Sequence, residues 1–149
     1  MKQATGISYS TAVTALAFVH LSGRPTILPT RESVFVVDDD PSMRTSMSRL
    51  LREHGFGTTL FESASALLDH GHFDEAICIV LDINLDGRSG IDLRQKLAEA
   101  GVTAPVIYIT GNDSAANRAA AIGSGCIAYL TKPFTAQSLI ESIARASVA

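Results

Sequence analysis

The stretch that decides the fold is Ile77-Cys78-Ile79-Val80-Leu81-Asp82, five apolar residues followed by one carboxylate. Because no polar residue interrupts the apolar run, the stretch predicts a strand buried on both faces, as in a parallel sheet. The next residues, 83–90, are rich in turn formers and lead into a segment with helical periodicity. Asp82 is therefore expected at the carboxyl end of a central strand, where open α/β sheets bind their ligands.

The composition indicates one domain with a short extension. The chain has 149 residues, 46% of them hydrophobic, which is sufficient for an ordinary core. Its net charge is −3 and it has no run of Lys or Arg, so we expect no nucleic-acid surface. Cys78 and Cys126 lack the spacing of a metal site or a redox pair, and we expect Cys78 to pack as a small hydrophobe. A reducing, cytoplasmic location fits this pattern.

Residues 1–32 differ from the rest of the chain. They are rich in Ser, Thr and Ala, and Pro25 and Pro29 precede the first apolar strand pattern. The apolar run at 12–21 is about half as long as a membrane-spanning helix, and no signal-peptide cleavage pattern follows it. We predict a poorly ordered extension over 1–32 and a domain over 33–149. A short helix docked on the domain and a targeting segment are the alternatives.

From residue 34 onward, short apolar runs alternate with helical patterns. The runs predict five strands, at 34–37, 58–61, 77–82, 106–110 and 127–130. Each helical pattern begins after a capping residue, such as Asp40, Ser63, Ser89 or Thr135. Inward positions are expected at Met43, Met47, Leu50 and Leu51 in the first helix and at Ala64, Leu67 and Leu68 in the second.

Five β-α units with short connections predict an α/β fold. The expected architecture is a doubly wound five-stranded parallel sheet with helices on both faces. With the strand order 2-1-3-4-5, the first and third strands are neighbours and the switch point lies between them. Any polar residues at the ends of these strands then share one edge of the sheet.

The strand ends carry a specific set of polar residues: Asp38 and Asp39 after the first strand, Asp82, Thr110 and Lys132. Three carboxylates about 4 Å apart would repel each other by roughly 4 kcal/mol per pair at an effective dielectric near 20. Such a cluster predicts a compensating cation. Few hard oxygen ligands, with room for water and phosphate, favour Mg²⁺ over an all-protein Ca²⁺ cage.

This set of residues resembles the receiver domain of bacterial two-component response regulators, a flavodoxin-like fold. The matching residues are the pair Asp38-Asp39, the lone Asp82, Thr110 before Gly111, Tyr129, and the dipeptide Lys132-Pro133. The resemblance covers residues 34–149. One residue departs from the family pattern, because Asp86 stands where members usually have proline, four residues after the phosphorylated aspartate.

The resemblance implies phosphotransfer. Asp82 would be the phosphoacceptor, and a sensor histidine kinase or a phosphotransfer protein would be the donor. Mg²⁺ would be held by Asp39, Asp82 and the Asn84 carbonyl, with Asp38 acting through water. Lys132 would add a cation on the opposite side of the phosphoryl group.

The resemblance also implies a switch. The Thr110 hydroxyl would bind the phosphoryl group, and Tyr129 would rotate into the space that Thr110 leaves. This movement would change the surface of the fourth helix, the fifth strand and the fifth helix. The Lys132-Pro133 bond is expected to be cis. Tyr129 also fits ordinary packing within a strand, so its switch role depends on the resemblance.

The sequence ends at Ala149, directly after the last helical pattern. We therefore predict a single-domain response regulator that signals by phosphorylation-dependent binding to a downstream protein, without direct contact to nucleic acid or membrane. It is not expected to be an enzyme beyond its own phosphorylation and dephosphorylation. The alternatives are a phosphate sink, a pseudo-receiver that binds partners without phosphorylation, and a small Mg²⁺-dependent phosphatase, which would normally need a longer body.

Overall fold

The computed structural model describes residues 18–21, 24–27 and 33–148. Phe18–Leu21 and Arg24–Ile27 pair as an antiparallel hairpin, which the sequence analysis did not anticipate. Apart from this hairpin, the predicted N-terminal extension lies outside the described residues, and its poor order stays a prediction.

The main sheet has five parallel strands and confirms the predicted architecture. Its order is β5-β4-β3-β1-β2, which is the predicted order 2-1-3-4-5 read from the opposite edge. The strands are β1 Ser33–Val37, β2 Gly57–Phe61, β3 Ala76–Asp82, β4 Val106–Thr110 and β5 Ala128–Thr131.

Within residues 33–148 five helices connect and flank the strands, and a 3₁₀ turn at Phe73–Glu75 precedes β3. The helices are α1 Pro41–Glu53, α2 Ala64–His70, α3 Gly90–Glu99, α4 Ala115–Gly123 and α5 Ala136–Ser147. Each helix is preceded by a capping residue whose side-chain oxygen accepts a hydrogen bond from a backbone N–H of the first turn. In order, the capping residues are Asp40, Ser63, Ser89, Ser114 and Thr135. These caps determine where the helices begin, and thereby the lengths of the loops at the carboxyl edge of the sheet.

The apolar run of β3 separates two hydrophobic cores. Ile79 and Leu81 belong to the core shared with α2, α3 and α4, while Cys78 and Val80 belong to the core shared with α1 and α5. Both faces of the sheet are therefore covered, as the absence of alternation predicted. Cys78 is fully buried, and burial raises the pKa of its thiol to about 12, so it packs as a small hydrophobe.

The prediction that Leu68 faces inward is wrong. Leu67 is completely buried, whereas 38% of Leu68 is exposed. Successive side chains of a helix point about 100° apart. Because α2 is short and packs with one narrow face, Leu67 is buried while the next residue, Leu68, turns toward solvent. Among the described helices, none combines the length and apolar character needed to cross a bilayer.

Candidate functional site

The strand register brings the three predicted carboxylates together. Val37 of β1 pairs with Leu81 of β3, so that Asp38 and Asp82, each one residue further on, end neighbouring strands. Together with Asp39 they each offer a carboxylate oxygen, and these oxygens lie within 4.8 Å of one another. Asp38 is fully buried and 5% of Asp82 is exposed, while Asp39 lies at the surface. We call Asp38, Asp39, Asp82 and Lys132 the acid pocket.

Lys132 supplies the cation of the acid pocket. Its Nζ donates to Oδ2 of Asp82 at 2.9 Å and to Oδ2 of Asp38 at 3.1 Å. Burial alone would lower the pKa of Lys132, but the hydrogen bonds and charges of Asp82 and Asp38 together raise it above the usual value. The Lys132-Pro133 bond is cis, as the resemblance predicted. One ammonium against three carboxylates leaves an excess of two negative charges.

Asp38 is held by its own loop. Its Oδ1 accepts the Asp40 N–H at 2.9 Å, and its N–H donates to the Phe61 carbonyl at 3.1 Å. Burial is the main reason that its pKa is raised, and the charge of Asp82 acts in the same direction, against the Asp40 N–H and Lys132.

Arg44 is a site residue that the sequence analysis missed. Its Nη1 donates to the carbonyl of Asp38 at 2.7 Å, which ties α1 to the loop after β1. The sequence contained an indication of this role, because a cation in the first turns of a helix is unfavourable next to the helix dipole and therefore suggests a nearby negative charge. Such a position makes sense when carboxylates lie beside the same helix end.

Asp82 is held from both sides. Its Oδ1 accepts the Asn84 N–H at 2.9 Å, while its Oδ2 accepts from Lys132. The Gly90 N–H donates to the Ile83 carbonyl at 2.7 Å, which brings the start of α3 against the end of β3. A Cβ atom on Gly90 would overlap the carbonyl oxygen of Asp82, so only glycine permits this approach.

The loop between β3 and α3 explains the departure from the family pattern at Asp86. Asn84–Leu85 pairs antiparallel with Arg88–Ser89 around a two-residue turn. The φ angles of that turn are +44° at Asp86 and +84° at Gly87. Positive φ at both positions is the type I′ turn, for which Asp-Gly is a preferred pair, and proline cannot adopt positive φ.

Thr110 and Tyr129 lie on the β4–β5 side of the pocket. Thr110 is fully buried, and its Oγ1 accepts the Asn112 N–H at 3.0 Å. The Lys132 N–H donates to the Thr110 carbonyl at 2.8 Å, so the two predicted site residues are neighbours. The Tyr129 hydroxyl donates to Oδ1 of Asp113 at 2.9 Å, an exposed contact that the sequence analysis did not predict.

Comparison with known protein families identifies the domain that carries the acid pocket. The sequence profile described as response regulator receiver domain matches residues 34–144. The chain belongs to this receiver family. The resemblance stated from the strand-end residues is therefore confirmed for residues 34–144.

Similar proteins agree with the family. Nodulation protein W of Bradyrhizobium diazoefficiens is 37% identical over 84% of this receiver chain and 55% of its own length. Response regulator protein TodT of Pseudomonas putida is 30% identical over 83% of this chain and 52% of its own. The receiver chain spans about half the length of these relatives.

Solved structures share the fold. The response regulator StyR has a TM-score of 0.72 and 36% identity, and the match covers 78% of this chain and 59% of that one. The crystal structure of FixJ-N has a TM-score of 0.70 and 30% identity, and the match covers 78% of this chain and 93% of that one. The α/β receiver fold predicted from the sequence is confirmed.

Proposed function

We propose that Asp82 accepts a phosphoryl group from a sensor histidine kinase or a phosphotransfer protein, with Mg²⁺ bound in the acid pocket. One observation carries the proposal. The Lys132 ammonium lies 2.9 Å from Asp82 and 3.1 Å from Asp38, and the three carboxylates lie within 4.8 Å of one another. In this arrangement Asp82 would be the nucleophile, Lys132 would be the fixed cation, and the carboxylates together would form an anionic binding site for a metal ion.

The donor set fits a hard divalent cation. The excess of two negative charges matches the charge of Mg²⁺, and carboxylate oxygens are ligands that this ion prefers. Asp39 and Asp82 would bind it directly with the Asn84 carbonyl, and Asp38 would contribute through water. When bound, Mg²⁺ neutralises charge on the phosphoryl oxygens.

In the proposed reaction, a carboxylate oxygen of Asp82 forms a bond to phosphorus, and the bond from phosphorus to the donor imidazole nitrogen breaks. The electron pair of the broken bond stays on the imidazole, and the product on Asp82 is an acyl phosphate. Each oxygen of Asp82 already accepts one hydrogen bond, but a carboxylate has about four acceptor positions, so lone pairs remain. Lys132 holds positive charge beside the transferred group throughout.

The proposed output is binding to a downstream protein in the cytoplasm. Thr110 would bind the phosphoryl group, and Tyr129 would respond to its movement. We propose no catalytic activity on a separate substrate, and no direct contact with nucleic acid or membrane by this chain. The receiver would be active as a switch rather than as an enzyme.

The direct test is incubation with acetyl phosphate and Mg²⁺ followed by intact-mass measurement. We expect a gain of about 80 Da, the mass of one phosphoryl group, that disappears when EDTA replaces Mg²⁺. The Asp82→Asn variant should gain nothing. The matched control Asp92→Asn changes an aspartate on α3 outside the acid pocket and should gain the same mass as the wild type. An undiminished gain in Asp82→Asn would contradict the assignment.

A further inference from the structure

The side chains of Tyr129, Asp113 and Arg118 form a closed set of contacts. The Tyr129 hydroxyl donates to Oδ1 of Asp113 at 2.9 Å, and Nη2 of Arg118 donates to Oδ2 of the same carboxylate at 2.9 Å. The guanidinium carbon of Arg118 lies 4.7 Å from the centre of the Tyr129 ring. Each of the three side chains therefore contacts the other two.

These contacts join three different elements of the domain. Asp113 lies in the loop after β4, Arg118 lies in α4, and Tyr129 lies in β5. Within α4 only Ala121 is buried, so hydrophobic packing holds this helix weakly. The polar contacts of the three residues consequently contribute to where the start of α4 lies relative to β5.

The same loop is attached to Thr110. The Asn112 N–H donates to Oγ1 of Thr110 at 3.0 Å, and the Asn117 side chain donates to the Asn112 carbonyl at 2.9 Å. Only two residues separate Thr110 from Asp113. A movement of the Thr110 hydroxyl toward a phosphoryl group would therefore displace the loop that carries Asp113.

The protonation preferences agree with these contacts. Donation from Arg118, and then from Tyr129, lowers the pKa of Asp113. Burial, and then donation to Asp113, raises the pKa of Tyr129. At neutral pH the carboxylate is thus a charged acceptor and the phenol a donor, which is the combination that favours a strong hydrogen bond.

We infer that Asp113 and Arg118 form a latch that holds Tyr129 in its present position, with its hydroxyl on Asp113, in the unphosphorylated receiver. The latch determines how readily phosphorylation of Asp82 moves Tyr129 and α4, and in this consequence it rests on the proposed function. The ion pair is open to solvent, with 49% of Arg118 and 43% of Asp113 side-chain surface exposed. A latch of this kind is weak enough for a new charge at Asp82 to overcome.

The latch can be tested by fluorine NMR on protein labelled with fluorotyrosine. The chain has three tyrosines, and the Tyr129 signal is assigned by its loss in Tyr129→Phe. We expect Asp113→Asn and Arg118→Met to shift the Tyr129 signal of the unphosphorylated protein toward its position in the phosphorylated wild type. The expected rise in the population with the phosphorylated-like Tyr129 position is about 1.5- to 5-fold, as for loss of one exposed ion pair. An unchanged Tyr129 signal in both variants would overturn the latch.

Two controls separate the latch from general changes in charge. Asp92→Asn and Arg52→Met remove the same charges from α3 and α1, and both should leave the Tyr129 signal as in the wild type. A second readout requires no phosphorylation, because Asp113→Asn should lower the pKa of Tyr129 in a titration of its fluorine signal. A Tyr129 pKa equal to that of the wild type would also count against the latch.

Failure of the latch and failure of the proposed function give different results. If the wild type gains no phosphoryl mass, the proposed function fails, and the titration of unphosphorylated variants still decides the latch. If the wild type is phosphorylated but the latch variants match it in both readouts, the latch is overturned and phosphorylation of Asp82 stands.

Discussion

The acid pocket and α4 both follow the carboxyl ends of strands in the main sheet but are held very differently. Asp38 and Thr110 are fully buried, and they end strands whose two faces are covered by helices. In α4, by contrast, only Ala121 is buried, and Ile122 is 64% exposed. The residues of the proposed phosphotransfer site therefore lie on the well-packed part of the domain, whereas hydrophobic packing holds α4 only weakly.

The magnitudes explain why this division is useful. Full burial of one large aliphatic side chain is worth about 1.5–3 kcal/mol, and the central strands bury many such side chains. The coupling between two sites in a protein is typically about 1–3 kcal/mol. In the proposed function, a coupling of this size would be sufficient to move a helix with one buried alanine without disturbing the strands that hold Asp82.

The largest expected effect is a difference in how much stability is lost when an apolar side chain is removed from β3 or from α4. Leu81→Ala removes a fully buried side chain next to Asp82, and we expect a loss of about 2–5 kcal/mol in the free energy of unfolding. Ile122→Ala removes an apolar side chain that is mostly exposed and should change stability by less than about 0.5 kcal/mol. Urea denaturation of both variants measures the difference. Equal losses would mean that α4 is held as firmly as β3.

A smaller effect concerns transmission between the two regions. Thr110→Ala should still be phosphorylated, because Asp82, Lys132 and the metal ligands remain, but the signal should not reach α4. Amide exchange over residues 111–130 should change on phosphorylation in the wild type by about 5- to 150-fold, and hardly at all in Thr110→Ala.

Thr110→Ser is the matched control, since it keeps the hydroxyl and should respond like the wild type. If amide exchange over residues 111–130 does not change on phosphorylation of the wild type, the switch hypothesis is contradicted and the phosphate-sink alternative is favoured. A full response in Thr110→Ala would show that the signal travels by another route.

The smallest effect tests whether the firmly held region includes the loop after β3. Asp86→Pro restores the residue that is usual in the family, yet it is incompatible with the φ of +44° at this position. We expect it to lower stability by at least about 1 kcal/mol and to slow phosphorylation by acetyl phosphate. Asp86→Asn tolerates the same backbone conformation and should behave like the wild type. If Asp86→Pro is as stable as the wild type, the I′ turn does not determine the shape of this loop.

Much of the site was predictable because its members are strand-end residues. The apolar runs define where the strands end, and parallel connections bring all carboxyl ends to one edge of the sheet. Asp38, Asp39, Asp82, Thr110 and Lys132 therefore had to share that edge. The cluster of carboxylates with a lysine could therefore be predicted without knowing any side-chain position.

By itself the sequence determined where the strands and helices begin and which residues end the strands, since hydrophobic periodicity and capping are local properties. The strand order 2-1-3-4-5 was predicted from the doubly wound pattern of α/β folds, and the structure confirms it. Only the tertiary structure decided that Asp38 is buried while its neighbour Asp39 is exposed, and that Leu68 faces solvent beside a buried Leu67. It alone showed that Tyr129 donates to a carboxylate sixteen residues earlier in the chain. Exposure and long-range contacts depend on how whole elements pack against each other, and no local pattern encodes the distance between two side chains that packing brings together.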